Sequence, residues 1–254
     1  MKRLRWVLTE VKAAGADAIF MANDHTAVLP ENLACFLRGV DPSEATYAGR
    51  ALAQRRGNGA ELFNSGAAGY VITKATLDAV DAAWGQPPCA ASDGEKWLQG
   101  NPGLVFARCF SAHGVPPADT RRGSRHVFHA FGPVRTATGR VDDWFARMHE
   151  TLPFSEKSSP VPNGLACCDA FSVSFHYVEA KEQRALFAAT RTTFSNASAA
   201  DAWLVEHWPR TGRDLGGYSH PLPRDDAQRA APRDLITGSL ELAGPGTCPV
   251  ASVG

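Results

Sequence analysis

Three observations predict an α/β fold for this chain. Short apolar runs with the character of strands alternate with stretches whose apolar residues recur at helical spacing. The length of 254 residues is ample for a buried core. Hydrophobic residues make up 44% of the chain and charged residues 20%, ordinary values for a folded globular protein.

The elements follow in order. Leu4, Val7, Leu8 and Val11 share one helical face, which predicts a helix over about 2–14 that ends at Gly15. The apolar run Ala18-Ile19-Phe20-Met21 predicts a strand, and it gives way at Asn23-Asp24-His25. Polar groups at the carboxyl end of a buried strand are where open α/β sheets place their ligands. The same residue types also suit a plain surface turn. Pro30-Glu31 opens a second helix, whose apolar face is Leu33, Phe36, Leu37 and Val40 and whose stop is Asp41-Pro42. A short strand near Thr46-Tyr47 leads into "AQRRGNGAELFNSG", read as a Gly- and Arg-rich loop. Next come a strand through Tyr70-Val71-Ile72 and a helix with Leu77, Val80 and Trp84 on one side. A helical "GLVFARCFSAHG", then "VFHAF", then the alternating strand "SVSFHYV" complete the pattern. After about residue 191 the pattern weakens, and the Pro-, Arg- and Asp-rich stretch from "PRTGRDLGG" to "AAPRDL" is expected to lack a stable core. No internal repeat is visible.

Lys plus Arg number 26 and Asp plus Glu 26, so a zero net charge gives no electrostatic case for a nucleic-acid or membrane-surface binder. No apolar run approaches the roughly 20 residues needed to span a bilayer. The basic N-terminus lacks a signal peptide's continuous apolar core. Six cysteines are present, and no spacing among them forms a zinc ribbon or a CxxC redox pair. The adjacent Cys167-Cys168 suits either two small buried hydrophobes or disulfide chemistry in an oxidising compartment. Asn196-Ala197-Ser198 is an N-glycosylation tripeptide.

Four islands occur in a telling order: "NDHT" with "ENL"; "NSGAAGYVITKATL"; the segment from Cys89 to Cys109; and "ACCDAFSVSFHYV". Together they resemble the core 1 β1,3-galactosyltransferase family, with the fringe-like transferases as more distant relatives, over roughly residues 1–190. "GAAGYVITK" and "CC…VSFHYV" are the most specific parts. The resemblance implies a GT-A-like glycosyltransferase fold with a Rossmann-like sheet. It also implies inverting transfer of galactose from UDP-galactose to the 3-hydroxyl of GalNAc on Ser or Thr of a glycoprotein, with Mn²⁺ as cofactor. A diphosphate leaving group carries charge that a divalent cation neutralises as the glycosidic bond breaks.

Residue by residue, the resemblance places His25, His176 and Asp24 as metal ligands, with the two histidines close enough to share one ion. Asn23, Asp24, Gly66, Ala67 and Tyr70 are placed against the UDP-sugar. Asn23 and His25 stand where the family has carboxylates, so the donor set leans toward Zn, Cu or Ni and away from Mn. An inverting transfer needs a carboxylate to take the acceptor's proton. The family's acid has no direct counterpart here, and Glu95 and Asp93 are the nearest candidates. Asp119 and Arg121 match a charge pair, read as a structural salt bridge. Trp144 falls in an acceptor-side aromatic cluster and is read as a core residue. Cys89 and Cys109 fall at a family disulfide and Cys167-Cys168 at its adjacent pair. Cys35 and Cys248 have no family partner, and Cys35 is read as a plain core residue.

The family's first strands lie upstream of the first helix, so the resemblance implies an N-terminally truncated domain over 1–190. A C-terminal extension, partly irregular, is expected over 191–254. Golgi-lumen or secretory-pathway residence is implied, with membrane attachment only through an anchor absent from this chain; the resemblance also allows a homodimer. Two alternatives stand beside this reading: a catalytically inactive paralogue acting as chaperone or binding module, and a fringe-like UDP-GlcNAc transferase.

Overall fold

The computed structural model describes residues 9–11, 13–56, 59–90, 102–150, 152, 161–208, 223–244 and 246–248. Asp93 and Glu95, the candidate bases, lie outside the described residues. In chain order the first elements are β1 (Ala18–Met21), β2 (Ala27–Val28), α1 (Pro30–Arg38), β3 (Tyr47–Gly49), β4 (Ala51–Arg56), β5 (Gly59–Asn64) and β6 (Tyr70–Thr73). Then follow α2 (Lys74–Val80), α3 (Pro102–Ala112), β7 (Phe128–His129), α4 (Pro133–Ala137) and α5 (Asp143–Glu150). Last come β8 (Ser174–Phe175), α6 (Ala180–Ala189), α7 (Ala197–His207) and α8 (Asp226–Asp234). Residues 9–11 and 13 are helical, the described part of the helix expected over 2–14.

The arrangement is mixed α/β, consistent with a GT-A-like fold. Strand β6 is central, with β1 and β3 antiparallel on its two sides. Its alternating side chains sort to two layers, as the two-residue period of a strand requires. Tyr70 and Ile72 face α2, α3 and Phe106, Phe110 and Val115. Val71 faces α1 and a second small sheet, through Phe36, Phe128 and Val173. That second sheet has the order β2-β8-β7, with β2 and β8 antiparallel and β7 and β8 parallel.

Two glycines let neighbouring segments of the first sheet approach closely. Gly69 has φ +80°, and a Cβ there would sit 2.4 Å from Phe20 Cζ. At Gly49 a Cβ would lie 2.7 Å from Tyr70 Cβ. Both positions exclude larger side chains for a stated reason: the first by conformation and contact, the second by contact alone.

The structure departs from the sequence reading at several points. The "loop" from Ala53 to Gly66 is largely a hairpin: β4 and β5 pair from Ala51↔Asn64 to Arg56↔Gly59. Its Ala51, Leu52 and Ala53 are buried, and two residues separate the strands. A short Gly-containing link between two runs is a hairpin signal; the polar Gln-Arg-Arg stretch concealed the strand beside it. The strand expected through "SVSFHYV" is regular only at Ser174 and Phe175, with backbone bonds to its neighbours continuing from Val173 to Val178. Tyr177 ends it, with φ 55°, a strained conformation for a non-glycine residue.

Of the tail read as lacking a stable core, residues 209–222 lie outside the described residues; Leu235, at its end, is buried, as are residues that flank the tail. Leu204, Trp208, Leu235, Ile236 and Leu240 are buried in one cluster with Ala27, Phe175, Val178 and Leu186. Cys35 is not a plain core residue: it is joined to Cys248, with S–S 2.01 Å and Cα–Cα 5.5 Å. Asn32, in the same helix, donates to Ser172 O at 2.9 Å and Glu241 O at 2.8 Å and accepts from Ala243 N at 2.8 Å. Helix α1 is thus tied to the C-terminal segment by one covalent bond and two hydrogen bonds. Disulfides also join Cys89 to Cys109 and Cys167 to Cys168, leaving no free cysteine.

Candidate functional site

Antiparallel pairing decides what meets at the end of the central sheet. Met21 opposes Tyr70, and Gly49 opposes Tyr70 from the other side. The turn after β1, which holds Asn23, Asp24 and His25, therefore lies beside the Gly66–Gly69 turn that precedes β6. In the second sheet Ala27 opposes Phe175, which brings His176 to the same place.

Hydrogen bonds lock the three motifs together. Thr26 Oγ1 lies 2.9 Å from Ala67 O and 2.7 Å from Asn23 Oδ1. Ser174 Oγ donates to Ala68 O at 2.5 Å. Val178 N donates to His25 O at 3.0 Å, and Leu29 N to Val173 O at 2.9 Å. Asn23 Nδ2 stands 3.0 Å from His176 Nε2. Asn23 and His176 are 153 residues apart in sequence. With the amide nitrogen donating, Nε2 is an acceptor and the ring proton sits on Nδ1, a buried atom with no close hydrogen-bond partner among the described residues. Burial pushes the His176 pKa down to about 4; the Ala130 backbone opposes this, His25 adds to it and Asp24 opposes it. His176 is accordingly a neutral, oriented imidazole at neutral pH.

Around this frame the sequence-selected residues divide. Asp24 is 87% exposed and His25 42%, with Asp24 Oδ1 3.7 Å from His25 Nε2. Gly66 is exposed and Ala67 half-buried at the same turn. Tyr70, expected against the donor, is a core residue: it is 4% exposed, and its ring packs edge-on to Tyr47 at 5.2 Å. Trp144, expected in the core, is 40% exposed and donates its indole N–H to Asp142 at 3.0 Å. It leans on Phe131 at 6.3 Å, which in turn stacks on Tyr177, the neighbour of His176. Part of the indole stays open to solvent. Asp119 and Arg121 form the two-pronged ion pair read from the sequence, with contacts of 2.7 to 3.1 Å.

The metal reading is tested by donor geometry. Among the described residues, the group of three His, Cys, Asp or Glu side chains with donor atoms within 4.8 Å of one another is Cys89, Cys109 and His113. Its two sulfurs are already joined to each other, so they offer no thiolate. Asp24, His25 and His176 are neighbours but do not draw their donor atoms into such a group, and His176 Nε2 is engaged by Asn23. A single exposed carboxylate beside imidazoles is a poor set for Mn²⁺, which prefers oxygen. Among the described residues, this donor set does not fit that ion.

A polar cluster beneath the site escaped the sequence reading. Arg50 is 4% exposed and its Nη2 donates to His149 Nδ1 at 3.3 Å. His126 and His149 lie edge-to-face at 5.7 Å. His129 stacks on Phe175 at 4.4 Å, with Nε2 3.0 Å from Ser172 Oγ and Nδ1 3.8 Å from Cys168 Sγ. Burial lowers the Arg50 pKa to about 9, with Arg121 adding to this and Asp119 opposing it. The signal was present in "YAGR" and "RHVFHAF", but nothing in a sequence marks a cation as buried.

No protein-family model matches the chain. Over 177 residues, 66% of the chain, it is 25% identical to glycoprotein-N-acetylgalactosamine 3-beta-galactosyltransferase 1 of Xenopus laevis. The chain spans 43% of that relative's length.

Proposed function

We propose that this chain is a glycosyltransferase of the inverting, nucleotide-sugar-dependent kind. Its reaction in this reading moves galactose from UDP-galactose to the 3-hydroxyl of GalNAc on Ser or Thr of a glycoprotein. The observation that carries it is the convergence of three distant motifs, Asn23–Thr26, Gly66–Gly69 and Ser174–Val178, on one turn cluster at the sheet's end. Similarity to a relative named for that transfer supports it.

The acceptor O3 attacks the anomeric carbon from the face opposite UDP, the O3 proton passes to a carboxylate, and the bond from carbon to the UDP oxygen breaks. Asp93 and Glu95 remain the candidates for that carboxylate. Asn23 fixes the His176 ring through its amide, and the neutral ring holds a proton on Nδ1. Asp24, His25, Gly66 and Ala67 form the exposed rim where the donor would lie. The exposed face of Trp144 offers a sugar an apolar platform. One exposed carboxylate beside imidazoles does not suit Mn²⁺. The six paired cysteines support a secretory or Golgi-lumen setting. Among the described residues no helix is long and apolar enough to cross a membrane.

A second reading, a catalytically silent relative that binds a glycoprotein or nascent partner, is favoured by one observation: His176 Nε2 is capped by Asn23 where a carboxylate-rich metal shell would be expected. One experiment separates the two. The chain is incubated with UDP-galactose or UDP-GlcNAc and a GalNAc-bearing peptide, with and without divalent metal, and its melting temperature is read with UDP. Transfer of galactose, lost in His176→Ala, is the expected result. Stabilisation by UDP without transfer selects the silent relative, transfer of GlcNAc selects the fringe-like donor, and no response to UDP overturns the nucleotide-sugar reading.

A further inference from the structure

We propose that Asn196 carries an N-linked glycan. The tripeptide Asn196-Ala197-Ser198 has the required hydroxyl residue and no proline at its middle position. Its placement is what lifts it above a chance match. Asn196 is exposed and is the N-cap of α7, its Oδ1 accepting from Ala199 N at 2.9 Å. Its Nδ2 has only a long contact, 3.4 Å, to Ser195 Oγ. Glycosylation replaces a hydrogen on Nδ2 and leaves Oδ1 free to cap, so the modified residue serves the helix as the unmodified one does. The connection between α6 and α7 contributes nothing to the His176 site. Two residues earlier, Phe194 is half-buried and held edge-on to Trp203 at 5.7 Å, a fixed aromatic surface for the apolar face of the first sugar. All six cysteines are paired, as befits the oxidising compartment in which this chemistry occurs.

The step is a substitution at a sugar carbon. Nδ2 attacks the anomeric carbon of a lipid-pyrophosphate-linked oligosaccharide, the carbon–oxygen bond to pyrophosphate breaks, and the amide gives up one proton. The cell's oligosaccharyl-transfer machinery supplies the donor.

The proposal rests on the secretory setting proposed above, so the test supplies that setting. The full chain is fused to a cleavable secretion signal and expressed in cultured animal cells, and both secreted and retained material are treated with peptide-N-glycosidase F. A downward mobility shift is expected for the parent and none for Ser198→Ala or Asn196→Asp, the latter keeping an oxygen for the cap. Peptide mass spectrometry should show Asn196 converted to Asp by the enzyme. An unmodified Asn196 peptide in material that has entered the pathway overturns the proposal. Phe194→Ala should shrink the melting-temperature gain that the glycan confers, and an undiminished gain overturns the role given to that ring. Neither outcome depends on whether the chain transfers galactose.

Discussion

Histidines supply the most sensitive chemistry in this molecule. Burial and Arg50 push His129 down to about 3, and burial, Arg50 and Arg121 push His149 to about 4. Burial chiefly lowers His176 to about 4 and His126 well below its ordinary value. In the unfolded chain each titrates near 6.5. Between about 6.5 and 4 the unfolded state therefore binds more protons than the native one, and stability rises with pH across that window. Glu182 works the other way: burial raises it from 4.5 to about 7, so its contribution shrinks as pH climbs between those values. Four depressed histidines outweigh one raised glutamate. The urea midpoint should fall steadily as pH drops from 7 toward 4.5, and a profile that is flat or rises on acidification would contradict the buried, neutral assignment. The residue types at the site were plain in the sequence. Their partners were not, because Asn23 and His176, 153 positions apart, meet only once the chain between them has folded.

At the scale of elements, α1 shows both the reach and the limit of local reading. Pro30 at its first turn and the spacing of Leu33, Phe36 and Leu37 announce the helix. Its attachment to Cys248 is invisible to spacing, since cysteine counts do not give connectivity. The two longer-range disulfides should differ in worth. In the chain-entropy picture a bridge spanning 213 residues restrains the unfolded state more than one spanning 20, by about 2 kcal/mol. Replacing Cys35 and Cys248 with Ser should therefore lower the unfolding free energy in urea by more than replacing Cys89 and Cys109. The reverse order would show that packing around the buried Cys89 and Cys109 dominates. The β4–β5 hairpin, by contrast, failed to declare itself because its short apolar run stops at Ala53 and Gln54, Arg55 and Arg56 occupy the rest of the strand.

Across the whole molecule, the α/β character was legible from periodicity, and the meeting of the motifs was foreshadowed by their order. What could not be seen was that the polar-looking C-terminal segment completes a core begun near the second sheet. Leu235, Ile236 and Leu240 sit there with Phe175 and Leu186, sparse apolar residues in a run dominated by Asp, Arg and Pro. Deleting residues from 223 onward should strip that cluster, the Cys35 bridge and two partners of Asn32 together. Near-ultraviolet circular dichroism and dye binding should then report lost tertiary packing; a truncated chain with a native spectrum would show the segment to be dispensable.

The bond between Cys35 and Cys248 also sets an order of events during synthesis. The helix that follows the Asn23 turn receives its covalent anchor only after another 213 residues have left the ribosome. Until then α1 lacks its bond to the C-terminal segment, and an oxidant meeting the growing polypeptide finds Cys35 in competition with Cys89 and Cys109 for a mate. Closing of that bond is on this account the last disulfide step among the six cysteines, governed by thiol exchange.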